Sequence, residues 1–404
     1  MSEPTPSHTT PSIGRRGLLG AGGAVAITAA AAAIPATAAP KKNKHGDDLD
    51  GIATSDLRFG RDGSFTILQF NDTQDHQLTD KRTLELITTA IEAEKPDLVL
   101  LVGDNINGGP KTVLEHKQAM NNIAATVDAT GVSWAATFGN HDEDPATGFD
   151  EPQQLTFYRQ YRHNVNGSGA TGITGTGNTY LPIAAPRGNK TAYGLWILDS
   201  GRYAPGSIAG QDFAGYPTWD WLRADQIDWY YRLSQELERT NGRLVPSSLF
   251  LHIPLWEYRF MWFSSVDDRS AAAHDRAVAK HQIVGERNED ECPGPFNSGL
   301  FNAILKRGET VSVSCGHDHI NTYWGNYYGV QLGYGPGTGF GTYGLGGADN
   351  HRLRGARVFK LALDDQSLGR LVETRPVFAT DLGIDTAAGE QRISRPLPFP
   401  KGVK

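Results

Sequence analysis

Apolar runs alternate with amphipathic segments over the first half of the chain. Three short runs are apolar enough to be buried strands, and they cover residues 65–70, 97–102 and 132–138. Two segments between them repeat apolar side chains at helical spacing, and they cover residues 81–94 and 113–129. This order predicts a parallel β-α-β-α-β unit whose strands all end at one edge of a sheet.

The second half of the chain is less regular. We predict strands at residues 195–200, 248–251 and 310–315, helices at residues 223–240 and 300–305, and short β segments at residues 323–325, 330–334 and 357–363. Glycine alternates with small polar residues over residues 167–177, which indicates a surface loop. Residues 256–295 are polar and irregular, and we interpret them as a loop or cap over a site or, equally, as a decorated surface loop.

The first forty residues have the layout of an export signal. Arg15 and Arg16 precede an apolar stretch rich in alanine and glycine, and residues 36–38 supply a small-x-small cleavage site. We therefore predict a twin-arginine signal peptide at residues 1–38, recognised by the twin-arginine export machinery, and a secreted or cell-envelope location. A membrane anchor is the alternative. A span needs about 20 strongly apolar residues, however, so we expect no membrane span in the mature form.

The rest of the chain has the composition of a globular protein. Of its 404 residues, 39% are hydrophobic and 21% are charged, and we divide it into a linker at residues 39–60, a domain at residues 61–380 and a C-terminal tail at residues 381–404. The net charge of −7 argues against a nucleic-acid-binding surface, which is usually basic. Export makes a disulfide between Cys292 and Cys315 permissible, and we favour it slightly over a buried free Cys315.

Polar side chains collect in five blocks where the predicted strands end. The donors are Asp72 with Gln74, Asp104, Asn140 with His141, His252, and His317 with His319. Carboxylate, amide and imidazole groups without a nearby thiolate suit borderline transition metals, and they are too many for one tetrahedral zinc ion. They predict two ions that share one carboxylate. Each block alone has a more ordinary interpretation as a turn, a helix cap or a surface pair, but five in this order argue against it.

These blocks resemble the calcineurin-like metallophosphoesterases. The pattern of that family is Asp-x-His, Gly-Asp, Gly-Asn-His-Asp/Glu, His and Gly-His-x-His, and it is matched here from Asp72 to His319. The resemblance implies an α/β fold, a four-layer α/β/β/α sandwich of two mixed β-sheets flanked by helices, with the catalytic domain at residues 61–380. It also implies two metal sites. The first would comprise Asp72, Gln74, Asp104 and His319, and the second would comprise Asp104, Asn140, His252 and His317.

The chain departs from the family pattern in two places. In the first block the usual histidine is replaced by Gln74, so that either the Gln74 amide oxygen or His76 would complete the first site. Three positions after Asp104, purple acid phosphatases carry a tyrosine that binds ferric iron, and Ser/Thr protein phosphatases carry an aspartate that orients the catalytic histidine. This chain has Asn107 there. The resemblance therefore points to a single-domain, non-purple branch, in which Asn107 would orient a histidine only through its amide oxygen.

The implied reaction is hydrolysis of a phosphate ester. Two divalent or trivalent ions (Mn, Fe, Zn or Ca) would hold a bridging hydroxide and bind the phosphoryl oxygens. His141 lies beside a ligand without being one, so it is free to hydrogen-bond the phosphoryl group or to protonate the leaving alkoxide. The substrate would be a small-molecule or macromolecular phosphate ester. A phosphodiesterase of the same fold and a non-catalytic binding protein stapled by metal are the alternatives.

Overall fold

The structure is a computed structural model and describes residues 50–404. The predicted signal peptide at residues 1–38 and the first half of the predicted linker at residues 39–60 therefore lie outside the described residues. Within the described part of the chain, no helix combines the length and the hydrophobicity that a membrane crossing requires.

The described chain forms thirteen strands and seven α-helices. The strands are β1 Ser64–Phe70, β2 Leu98–Val102, β3 Ser133–Thr137, β4 Thr179–Ala184, β5 Thr191–Ile197, β6 Ser207–Ile208, β7 Gln211–Asp212, β8 Ser247–Phe250, β9 Thr310–Cys315, β10 Trp324–Tyr327, β11 Val330–Tyr334, β12 Gly355–Leu363 and β13 Gly369–Phe378. The helices are α1 Lys81–Glu94, α2 Val113–Asp128, α3 Glu151–Tyr158, α4 Ala224–Asn241, α5 Trp256–Phe263, α6 Ala271–His281 and α7 Leu300–Arg307.

Most strands belong to two mixed sheets. The first sheet has the order β13-β12-β1-β2-β3, in which β1, β2 and β3 are parallel and β12 and β13 are antiparallel to their neighbours. The second has the order β10-β11-β9-β8-β5-β4, in which β11, β9, β8 and β5 are parallel. Each sheet therefore places a set of parallel strand ends at one edge, where polar loops can meet.

Alternate residues of a strand face opposite layers, and this alternation builds two cores around the first sheet. Ile67 packs between the two sheets with Leu195 of the second sheet, whereas Leu68 packs with Ile87 of α1 and Ile123 of α2. The outer face of the second sheet is covered by α4 to α7. The order of layers is helices, sheet, sheet, helices, which confirms the predicted α/β/β/α sandwich.

Elements with strong hydrophobic periodicity were predicted correctly from the sequence, whereas several elements with weak periodicity were missed. The first helix spans Lys81–Glu94, as predicted. Residues 256–295, by contrast, are not wholly irregular, because they contain α5 and α6. In α6, Ser270 accepts a hydrogen bond from the Ala273 amide as its N-cap, and only three of its residues are buried, so its hydrophobic pattern is faint. Helix α3 and strands β4 and β13 are likewise absent from the sequence prediction.

Residues 381–404 lie against the helices of the first layer. The Lys81 amide donates to the Gln391 carbonyl at 2.8 Å, and the Leu397 amide donates to the Asn122 side chain at 2.8 Å. Near the end of the chain, Phe399 packs edge-on against Phe157. The C-terminal residues thus help to cover α1 and α2.

The two cysteines are free thiols, so the Cys292–Cys315 bridge is wrong. Cys315 is fully buried at the end of β9, where its sulfur lies 3.9 Å from the Gly333 carbonyl. The Cys292 sulfur instead donates to the Asp290 carbonyl at 3.3 Å. The two side chains therefore have different surroundings, and each is accommodated without a bridge.

Candidate metal centre

Parallel strands of both sheets bring the candidate ligands to one place. Asp72, Asp104 and Asn140 follow β1, β2 and β3, while His252 follows β8 and the pair at 317 and 319 follows β9. Among the described residues, three sets have ligand atoms that lie within 4.8 Å of one another, and they are Asp104 with His252 and His317, Asp72 with Asp104 and His319, and Cys292 with His317 and Asp318. Asp104 is common to the first two of these sets, which is the arrangement that two ions sharing one carboxylate require.

Three of these residues leave their strands in a left-handed conformation. Asp72, Asp104 and His317 have φ angles of 52°, 49° and 77°. Residues other than glycine adopt this conformation at a cost of roughly 1–3 kcal/mol, and such strain tends to collect at functional sites. Gly103 before Asp104 has φ 79°, and a Cβ built there would lie 2.5 Å from Nδ1 of His252. A glycine is therefore required where this turn passes the histidine.

His252 is oriented by the backbone of the other sheet. Its Nδ1 lies 2.9 Å from the carbonyl oxygen of Val102, so Nδ1 carries the proton and Nε2 points into the centre. There Nε2 lies 3.2 Å from Oδ2 of Asp104. This orientation aims Nε2 at the centre, where a bound metal ion would take the place of the Nε2 proton.

Several buried polar atoms at the centre lack hydrogen-bond partners among the described residues, and a cation would satisfy them. Within residues 50–404, no hydrogen-bond partner is found for Asp104 Oδ2, Asn140 Oδ1, His252 Nε2 or either ring nitrogen of His317. Each belongs to a residue with at most 6% of its surface exposed. Buried polar groups without partners are costly, and this donor set of carboxylate, amide oxygen and imidazole suits divalent transition metals. The residues present therefore fit the expected ions.

Of the two candidates in the first block, Gln74 lies near the set that contains His319 through its contact with Thr342, and His76 contacts the C-terminal region. The Gln74 side-chain oxygen accepts a hydrogen bond of 2.7 Å from the Thr342 hydroxyl, which itself lies 3.3 Å from Nδ1 of His319. His76 points elsewhere, because its ring contacts the Arg392 guanidinium near the C-terminus. This placement favours the Gln74 amide oxygen as the remaining ligand of the first site.

Burial and mutual charge set the ionisation of the centre. Burial raises the pKa of Asp72 to about 6 and lowers the pKa of His317 to about 3. For His252, burial opposes protonation, but the negative charge of Asp104 outweighs it and raises the pKa to about 10. The negative charge of the Asp104 carboxylate thus stabilises positive charge beside it, as a site for cations requires.

His141 stands beside the metal ligands and is held by an acid. Its amide donates to Oδ1 of Asp104 at 2.8 Å, and its Nδ1 hydrogen-bonds Oδ2 of Asp144. Burial alone would lower the pKa of the ring, but the bond to Asp144 and the charge of Asp104 raise it above its ordinary value. With 31% of its side chain exposed, the ring is open to a substrate while its orientation is fixed.

The orienting group is therefore Asp144 and not Asn107. The Asn107 side-chain oxygen accepts a hydrogen bond from the Gly109 amide at 2.8 Å and closes a local turn. Asp144 also receives bonds from Arg202 at 3.0 Å and from the Tyr203 hydroxyl at 3.1 Å. Sequence reasoning missed Asp144, although an acid three residues after His141 in a tight turn is a usable signal.

The candidate centre lies inside a segment that matches a known protein family. Residues 65–321 match the family model described as calcineurin-like phosphoesterase. The chain belongs to that family. It is therefore a phosphoric ester hydrolase by family, and membership implies a centre of two divalent metal ions.

Proteins similar to this chain carry several different names. An Arabidopsis thaliana protein named probable inactive purple acid phosphatase 29 is 30% identical over 368 residues, which cover 83% of each chain. Phosphatase DCR2 of Saccharomyces cerevisiae is 26% identical over 248 residues, covering 60% of this chain and 39% of that protein. The crystal structure of a dimetal phosphatase from Danio rerio is 14% identical with a TM-score of 0.45, covering 78% of this chain and 98% of that chain.

Proposed function

We propose that this phosphoesterase is an exported, metal-dependent phosphatase with a dinuclear centre. The observation that carries the proposal is the convergence of buried, unpartnered donor atoms from Asp104, Asn140, His252 and His317. Asp72, Gln74, Asp104 and His319 would hold one ion. Asp104, Asn140, His252 and His317 would hold the other.

The division of labour in the reaction follows from the positions of the side chains. When bound, the two ions would supply positive charge to the phosphoryl oxygens and lower the pKa of the attacking water. The residues of the chain fix where that charge lies: Asp104 ties the two sites together, and the hydrogen bond from His252 to Val102 keeps Nε2 aimed at the centre.

His141 supplies the proton for the leaving group. Its Nδ1 is engaged by Asp144, so Nε2 is the nitrogen free to donate towards an alkoxide. The raised pKa favours the protonated ring, which is the form that acts as a general acid. The bonds from Arg202 and Tyr203 hold the Asp144 carboxylate, and with it the His141 ring, in place.

Two other functions are compatible with the same ligands: a non-catalytic metal-binding protein and a phosphodiesterase. Some relatives are named as inactive, so the first alternative is a non-catalytic protein that the metal ions stabilise. Against it, His141 in this chain is partly exposed to solvent and is oriented by Asp144. A phosphodiesterase would use the same ligands, since the walls of the pocket and not the ligands determine the ester type.

A hydrolysis panel tests the function. The protein is stripped of metal, reloaded separately with manganese, zinc, iron or calcium, and assayed on matched phosphomonoesters and phosphodiesters. We expect metal-dependent hydrolysis with monoesters preferred. Full metal binding without turnover of any ester would support the non-catalytic alternative, and a preference for diesters would reassign the ester type.

Export is proposed on the sequence alone. Arg15 and Arg16 precede the apolar stretch of the predicted signal. Replacement of both by lysine should leave the unprocessed protein in the cytoplasm, whereas the native sequence should yield a processed protein outside it. Equal export of the two forms would argue against the twin-arginine route.

A further inference from the structure

Three aromatic side chains border the candidate metal centre, and we call them the aromatic rim: Tyr203, Trp219 and Tyr343. Each packs against one histidine of the centre. Tyr343 stacks on His319 with ring centroids 4.1 Å apart and an angle of 12°. Trp219 meets His317 edge-on at 4.7 Å, and Tyr203 meets His141 edge-on at 6.4 Å.

Part of the rim is built on a flap formed by residues 202–220. Its base is closed by an antiparallel bridge between Tyr203 and Trp219, with the Ala204 amide donating to the Thr218 carbonyl at 2.7 Å. The rings of Tyr203 and Trp219 lie 5.8 Å apart at an angle of 33°. The two rings therefore form one apolar wall beside the centre.

Tyr343 comes from a distant part of the chain and is held by separate contacts. Its hydroxyl donates to Glu289 at 2.8 Å, and its carbonyl accepts a hydrogen bond of 2.6 Å from the buried guanidinium of Arg354. The residue is nevertheless 51% exposed. One face of the ring covers His319, and the rest of the side chain stays exposed beside that histidine.

The charges at the rim do not favour a second anionic group on the ligand. Arg202, the guanidinium beside the Tyr203 ring, is paired with Glu143 at 2.9 Å and with Asp144 at 3.0 Å. Glu289 adds a further acid next to Tyr343. The best fit is a ligand with one phosphoryl group and an uncharged planar ring. The metal centre would attract the phosphoryl group, and the aromatic rim would attract the ring.

We propose that the aromatic rim selects phosphomonoesters whose leaving group carries an aromatic ring. The inference rests on the proposed phosphatase function, in which the centre binds the phosphoryl group. Aromatic pairs in offset or edge-on geometry are stabilised beyond what burial of area provides. An aromatic ligand should therefore bind roughly 3- to 10-fold more tightly than a saturated ligand of the same size.

The test compares two phosphonates that differ only in aromaticity. Benzylphosphonate and cyclohexylmethylphosphonate each carry one anionic group and one six-membered ring, and neither can be hydrolysed at phosphorus. Their dissociation constants are measured by calorimetry on the full-length, manganese-loaded protein. We expect the benzyl compound to bind about 3- to 10-fold more tightly. Trp219→Leu and Tyr343→Leu should each reduce that preference, and Trp219→Phe should retain most of it.

Tyr216→Leu is the matched control, since Tyr216 lies on the same flap, is 66% exposed and stacks on no ring of the centre. Equal affinities, binding of neither phosphonate, or a preference that survives both leucine variants would overturn the proposal. Hydrolysis of benzyl phosphate and cyclohexylmethyl phosphate distinguishes failure of the phosphatase function from failure of the aromatic-rim proposal. A binding preference without turnover removes the phosphatase function and leaves the rim, whereas turnover at equal efficiency removes the rim and leaves the function.

Discussion

The Nε2 atom of His252 lies 3.2 Å from Oδ2 of Asp104, and neither atom has a hydrogen-bond partner within residues 50–404. His252 comes from the second sheet and Asp104 from the first, so this contact joins the two sheets at their polar edge. Asp104 also belongs to the set that contains Asp72 and His319. One carboxylate therefore connects both halves of the candidate centre.

The turn before Asp104 should tolerate no side chain. Gly103 and Gly131 have the same φ of 79°, but a Cβ at Gly103 would lie 2.5 Å from His252, whereas a Cβ at Gly131 meets nothing within 4 Å. Gly131→Ala should cost about 1–2 kcal/mol of unfolding free energy through its left-handed backbone alone. Gly103→Ala should cost more and lose metal as well. Denaturant unfolding and metal analysis of both variants check this, and equal effects would contradict it.

The ligand in the first block should be Gln74. Gln74→Ala should weaken metal binding, because it removes an amide oxygen that lies beside Thr342 and His319. His76→Ala should change metal affinity little, since its ring contacts Arg392 instead. Gln74→His should tighten binding, because imidazole suits these metals better than a neutral amide. Titration with manganese measures all three, and the reverse ranking of the two alanine variants would assign the ligand to His76.

The role of His141 should appear in the dependence of the rate on the leaving group. An alkoxide needs a proton to depart, so His141→Ala should slow hydrolysis of alkyl phosphates by about 10²–10⁴-fold. Hydrolysis of nitrophenyl phosphate should slow much less, because nitrophenolate leaves without being protonated. Both metals should remain bound. Equal losses for the two leaving groups, with chemistry rate-limiting, would leave His141 as a hydrogen-bond donor to the transition state.

The same experiment reports on the residue that orients His141. Asp144→Asn should impair alkyl phosphates in the same direction as His141→Ala, by a smaller factor, because the ring stays but loses its anionic partner. Glu143→Gln is the control, since Glu143 shares Arg202 with Asp144 without bonding to the ring. An Asp144→Asn enzyme with an unchanged preference for leaving groups would remove this positioning role.

Both cysteines should titrate as thiols. Cys315 is buried beside Gly333 and Cys292 contacts the Asp290 carbonyl, so neither forms a bridge in the structure. Thiol titration of the unfolded, unreduced protein should find two free thiols per chain. Fewer than one would show that the two form a disulfide after all.

The sequence was most informative where periodicity was strong. Helix α1 and the strands of the first half carry clear apolar patterns, and the strand-end blocks lie where parallel strands must meet. Residues 256–295 failed as a prediction because charged residues interrupt the short apolar helix α5, and α6 buries only Ala273, Ala277 and His281 along a narrow face. Strand β13 was missed for a related reason, since it lies at the edge of the sheet, where three of its ten residues are charged and only two are buried.

Parts of the site could not be predicted because they depend on contacts between distant segments. Thr342 reaches Gln74 across 268 residues of sequence, and Tyr343 stacks on His319 from a loop without a motif. The contact between His141 and Asp144 is local, but it depends on the shape of one turn, which composition does not specify. Residue type predicted the ligands, and tertiary packing decided which groups orient them.

Metal content of the Asp104→Ala protein tests the central claim most directly. Wild-type protein and the exposed-site control Asp267→Ala should each retain about two ions per chain after manganese loading and desalting, and His319→Ala should retain about one. Because Asp104 would serve both proposed sites, Asp104→Ala should retain close to none. Two ions per chain in Asp104→Ala would contradict a dinuclear centre that shares this carboxylate.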